Sequence, residues 1–173
     1  MSAVYRLRQG ARALTAFARP LDADRAQAVL PPGLLPLFSA MRRSEQMHSL
    51  AVLAALEHEA PVPQPLAFAA LLHDCGKARF PLRTWQRTLP VLLRALAPAA
   101  AVRLASRDPR PMLTRGFVVY AHHPRWGAEL AQAAGAPEQT CWLIEHHADP
   151  AARWAQHPYV QMLKRLQRAD DTH

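Results

Sequence analysis

Cysteine, glycine, lysine and long apolar runs are all scarce in this chain, and each scarcity removes a class of protein. The two cysteines, Cys75 and Cys141, stand far apart and form no C-x-x-C pair, so neither a disulfide framework nor a zinc knuckle is indicated. A reducing cytoplasm is the compartment expected. The longest apolar candidate, "LPVLLRALAPAAAVRLAS", is interrupted by Arg94 and Arg103, which leaves no stretch of about 18 residues fit to span a bilayer. Arg6, Arg8, Arg12 and Arg19 near the start are not followed by an apolar core and a small-residue cleavage site, so no secretory signal is read. No segment alternates apolar and polar residues as a half-buried strand does. Aromatic residues make up 7% of the chain and do not interleave with basic ones, so specific nucleic-acid binding is not expected.

What the chain does have is a hydrophobic half, a charged fifth and a formal charge of +8 over 173 residues. That is enough to build one core without staples. The charge is almost wholly arginine, since Lys77 and Lys164 are the only lysines. A basic surface draws phosphate-bearing ligands, although a GC-rich genome yields the same arginine, alanine and proline bias.

Proline-marked breaks divide the sequence into helical segments. "LDADRAQAVL" forms a short helix with Asp22 or Asp24 as cap, followed by "LLPLFSAMR". Residues 44–59 form a stronger helix with Met47, Leu50, Ala51, Ala54 and Leu56 as its apolar positions. "LAFAALLHDC" is expected to stop at Gly76 in a left-handed cap. Residues 79–115 hold eight arginines, five prolines and one acid, read as an amphipathic helix and a loop over the core; a substrate-facing lid or a membrane-surface patch would have the same composition. "RGFVVYAH", "PRWGAELAQAA", "EQTCWLIEHH" and "PYVQMLKRLQRADD" follow, with Pro124 read as opening a helix and Gly135 and Pro137 as a boundary. The expected architecture is all-α, a single compact helical bundle over 1–173, with 1–43 as a helical extension and 44–171 as its core.

Polar residues recur where these apolar helices end. "ALLHDCGKARF" passes from Leu71 and Leu72 directly to His73, Asp74 and Lys77. His48 sits within an apolar helix, His122 and His123 precede another, His146 and His147 end a third, and Asp170 closes the last. A lone helical histidine is ordinarily a packed core residue. Several imidazoles with carboxylates are instead the donor set of a hydrolytic metal site.

The order of these elements, "MHSLAVLAAL", "LLHDCGK", "HPRWGAEL", "LIEHH" and "LQRADD", resembles the HD-domain superfamily of metal-dependent phosphohydrolases. "HDCGK" is similar to its HD-x-G-K signature, and "HPRWG" to its H-x-x-x-G element, which selects His123 over His122. The resemblance implies that His48, His73, Asp74 and Asp170 bind one divalent metal and that Asp74 bridges to a second held by His123 and by His146, His147 or both. Manganese or iron fits this set, with zinc, nickel, cobalt or magnesium as alternatives. It further implies that Asp74 orients the attacking water and that Lys77 meets the substrate phosphate; Arg79 and Arg125 are weaker candidates for that contact. Gly127 would allow close packing of the helix after Pro124.

The substrate implied is a phosphomonoester or phosphodiester, most naturally a nucleotide. The cyclic-di-GMP branch carries a "GYP" stretch where this chain has "HHADPAARWAQHPY", and Ser44 replaces the glutamate that would hold a third metal. The acidic segment of the ppGpp hydrolases is also missing after "HDCGK". The alternative reading is a non-catalytic module that senses a nucleotide or docks a partner through 79–115.

Overall fold

A computed structural model describes residues 21–172 of the chain. The first half of the expected N-terminal extension lies outside the described residues. Among those described there are nine α-helices and no strand, so the architecture is all-α as expected. The helices are α1 (Ala23–Val29), α2 (Leu35–Ser39), α3 (Arg43–Glu59), α4 (Gln64–Leu72), α5 (Thr84–Leu96), α6 (Pro98–Ala105), α7 (Met112–Ala133), α8 (Glu138–His146) and α9 (Val160–Thr172). Tight 3₁₀ turns occupy Cys75–Arg79 and Ala151–Trp154.

Helix α4 is the centre of the fold. Leu66 to Leu72 are buried without exception, and a helix apolar all round must be enclosed by its neighbours. Helices α1, α2, α3, α8 and α9 pack on it. Asp22 starts α1 by accepting the Arg25 amide at 3.0 Å, the cap expected of an aspartate there. Gly135 ends α7 with φ of +83°, a backbone conformation that favours glycine.

Four sequence expectations are corrected. The buried face of α3 runs through Gln46, Ser49, Val52, Leu53 and Leu56, which leaves Met47, Leu50 and Ala51 half-buried and Ala54 exposed. Gln46 can be buried on this face because its side-chain amide donates to the Phe38 carbonyl at 2.9 Å. Gly76 is not a left-handed cap, because Gly135 is the only described glycine with positive φ. It is needed for space: a β-carbon on it would lie 2.0 Å from the His123 carbonyl oxygen and 2.6 Å from the Gly127 nitrogen. Pro124 does not open a helix but sits inside α7. Residues 79–115 hold two helices, α5 and α6, where one was expected, followed by a loop over 106–111 and the first turn of α7; Pro98 separates the two as the first residue of α6.

All the exposed large apolar side chains among the described residues fall in α5, α6 and α7. Trp85, Leu89, Leu92 and Leu96 are exposed at four-, three- and four-residue steps, a stripe along one face of α5. No helix among the described residues is long and apolar enough to cross a membrane.

Candidate metal centre

The helix ends deliver the polar residues to one place. His73 caps the C-terminus of α4, and the chain then turns sharply, so Asp74 follows it into the interior at 5% exposure. Gly76 and Gly127 let this turn lie against α7, with Cys75 Sγ 3.7 Å from the Gly127 carbonyl; of the two, Gly127 serves the close packing expected of it. This contact brings His123 Nε2 to 3.4 Å from Asp74 Oδ1. His147 caps α8, and its ring lies 5.1 Å from that of His73 and 5.2 Å from that of His123. From the other side, α3 brings the His48 ring to 5.3 Å from His73, and α9 brings Asp170.

Ligand atoms of His48, His73 and Asp74 lie within 4.8 Å of one another, as do those of Asp74, His123 and His147. Asp74 belongs to both groups. Asp170 Oδ1 is 2.8 Å from His48 Nε2 and 3.8 Å from His73 Nε2. Six of the sequence-predicted ligands therefore converge: His48, His73, Asp74, His123, His147 and Asp170.

The hydrogen bonds identify which ring atoms point inward. Nδ1 of His73 faces the Ala70 carbonyl at 3.0 Å, Nδ1 of His123 faces the Tyr120 carbonyl at 3.0 Å, and Nδ1 of His147 faces the Ile144 carbonyl at 2.7 Å. A carbonyl only accepts, so each Nδ1 carries the proton and donates. In the neutral ring Nε2 is then an acceptor. His73 Nε2 is buried without a hydrogen-bond partner, 3.8 Å from Asp74 Oδ2. Burial, reinforced by the neighbouring His73 and His123, pushes the pKa of His147 down to about 3, and burial also lowers that of His123. Burial alone would raise the Asp74 carboxyl, but the Lys77 ammonium, which donates to it at 2.6 Å, is foremost in holding it well below the usual range.

The centre is thus a buried assembly of lone pairs and carboxylate oxygens facing each other without a proton between most of them. Such a set is costly unless a cation compensates it. Imidazole nitrogen with carboxylate oxygen suits a divalent transition metal. The residues present fit a metal on this ground.

Other predicted residues are placed differently. His146 turns away from the cluster; its Nδ1 lies 3.0 Å from Asp149 Oδ2 and its ring packs against Trp142 and Trp154. Lys77 donates to Asp74 Oδ2 at 2.6 Å, at the edge of the centre. Arg79 lies over the Trp126 ring and near Glu129, and Arg125 donates to Glu129 at 3.0 Å. His122 is exposed and stacks on Trp126.

Two residues that position the site were not singled out in the sequence. Arg165 on α9 donates to the Leu56, Ala60 and Pro61 carbonyls at the end of α3 and so ties together the two helices that carry His48 and Asp170. Gln167 donates to the His147 and Asp149 carbonyls at 2.9 and 2.6 Å and ties α9 to the end of α8. One of two arginines and one of two glutamines on α9 carry no signal of such roles.

Comparison with family models matches residues 46–173 to the HD domain, and the chain belongs to that family. Its members are typically metal-dependent phosphohydrolases, and the His/Asp cluster described above is of the kind that holds a metal. Searches of the curated proteins and of the solved structures find no match.

Proposed function

We propose that this protein is a metal-dependent phosphohydrolase that cleaves a phosphate ester, of which a nucleotide is the natural candidate. The observation that carries the reading is the orphaned, fully buried Nε2 of His73, aimed among carboxylate oxygens that have no proton to offer it. His48, His73, Asp74 and Asp170 would hold one divalent ion, and Asp74, His123 and His147 a second, with manganese or iron first and zinc, nickel, cobalt or magnesium as alternatives. A divalent ion bound there supplies an activated water at neutral pH and positive charge for the phosphoryl oxygens.

The chain's own residues do the rest. Asp74, kept ionised at neutral pH, orients the attacking water and accepts its hydrogen bond. Lys77, half-buried beside it, meets the substrate phosphate as a point charge. Were His48 and Asp170 both to serve as ligands, the hydrogen bond between them would have to open and His48 would have to present an unprotonated Nε2. Arg79 and Arg125 are held by Glu129 and would have to leave it to reach a phosphate.

The test is turnover of a panel of nucleotides and simple phosphate esters with manganese, iron and magnesium supplied in turn. Hydrolysis that needs the metal and falls below detection in Asp74→Ala supports the proposal. Metal uptake with no turnover on any ester would instead favour the sensing module. Lys77→Ala should retain metal while lowering turnover, and loss of metal in that variant would refute the role given to Lys77.

A further inference from the structure

The three inward-facing histidines hold their tautomer by the same device, and one of them achieves it in an unusual place. His73 and His147 each follow the last residue of a helix, so the carbonyls they use, those of Ala70 and Ile144, lie among the last four of that helix, which no intrahelical amide takes. His123 lies in the interior of α7, where every carbonyl is normally taken by the amide four residues on. For the Tyr120 carbonyl that amide belongs to residue 124, which is proline and has none.

We infer that Pro124 is a positioning residue for the metal centre: by withholding an N–H it leaves the Tyr120 carbonyl to the Nδ1–H of His123, which turns the His123 Nε2 lone pair toward Asp74. The geometry agrees on both sides. His123 Nδ1 lies 3.0 Å from the Tyr120 oxygen and 3.1 Å from that of Val119, while Nε2 lies 3.4 Å from Asp74 Oδ1. The competing tautomer would place a proton on Nε2, where it would donate to the carboxylate and block metal ligation. An alanine at 124 would restore the helical amide, occupy the Tyr120 carbonyl and shift the ring toward that competitor. Proline is also the poorest residue for a helix interior, and α5 holds a second one at Pro90.

The inference rests on the metal-centre reading for its affinity measurement, while its tautomer measurement is made on metal-free protein and does not depend on that reading. Long-range ¹H–¹⁵N correlation spectra of the metal-free wild type should show His73, His123 and His147 all protonated at Nδ1. In Pro124→Ala, His123 alone should move toward the Nε2–H form, affinity for Mn(II) should fall about 10- to 100-fold, as for other losses of an outer-shell partner, and the melting temperature should rise. Replacing residue 124 by lactic acid, whose ester has neither N–H nor ring, should restore both tautomer and affinity. A wild type with Nε2–H at His123, or a Pro124→Ala variant with unchanged tautomer, would overturn the inference whatever the variant's stability. Failure of the ester to rescue would also overturn it, by showing that the ring matters and the missing N–H does not. A changed tautomer with unchanged Mn(II) affinity would likewise overturn it, since the ring's orientation would then not serve the metal, whereas a wild type that binds no Mn(II) would count against the metal-centre reading alone.

Discussion

The turn that carries Asp74 and the α5–α6 pair both pack on α7, and both reach it through a glycine. Gly76 admits the His123 carbonyl, and Gly116 admits the Gln86 carbonyl at 2.1 Å from where a β-carbon would stand. Beyond that shared device the two regions differ. Around Asp74 polar atoms are buried and their directions are dictated by carbonyls behind them, so the geometry specifies what must lie in front. On α5 and α6 the apolar side chains of Trp85, Leu89, Leu92, Leu96 and Val102 are left in solvent, and their composition alone does not define an occupant. Buried polar groups carry chemical information because each must be satisfied; an exposed apolar stripe carries much less.

Substitutions can break or sharpen that contrast, and the largest effect is expected at Gly76. Gly76→Ala forces backbone apart at the site itself, at a cost of about 3 kcal/mol or more, the upper end for overpacking, and metal binding should be lost with it. A variant with wild-type melting temperature and metal content would show that the close approach is not needed. Gly116→Ala should cost about 1–3 kcal/mol by the same mechanism yet leave metal stoichiometry intact, because it disturbs only the seat of α5. If both variants lose metal equally, the two regions are not separable.

Acid should expose the contrast without mutation. His147 is neutral when folded down to about pH 3, whereas the unfolded chain takes up that proton near pH 6.5. Between these values the unfolded state binds more protons, so stability is full above about pH 6.5 and falls as pH drops, with a slope of at most about 1.4 kcal/mol per unit for this one proton. Asp74, held low, adds loss in the same direction at lower pH. Urea midpoints of the metal-free protein should therefore decline from pH 7 to pH 4, and His147→Gln should flatten the upper part of that decline. The smallest effect belongs to the exposed stripe: Leu92→Ser should change stability by less than about 0.5 kcal/mol. A larger loss would mean that the stripe is covered in solution.

Much of the site could be read from the sequence because its residues follow helix ends. Leu71 and Leu72 announce where α4 is buried, and His73 and Asp74 follow at once. The choice between His146 and His147 was also legible in principle: His147 is three and four residues beyond the buried Ile144 and Leu143, hence on their face, whereas His146 is four beyond Trp142. The misreadings arose where one backbone touches another. Gly76 looked like a cap because a glycine after a helix usually is one, and nothing local announces that α7 lies against it. Pro124 reads as a helix start because proline is normally excluded from a helix interior, and nothing local announces that the Tyr120 carbonyl meets an imidazole instead of an amide. The face of α3 was misjudged by apolar counting, since Gln46 and Ser49 are buried and polar.

The central claim is that the His/Asp cluster is a metal centre organised on Asp74. It is tested most directly by titrating the metal-free protein with Mn(II) in a calorimeter, beside Asp74→Ala and His146→Ala. The account predicts up to two equivalents for the wild type, the same number for His146→Ala and at least one fewer for Asp74→Ala with helical content preserved. No binding by the wild type, or full binding by Asp74→Ala, would contradict it.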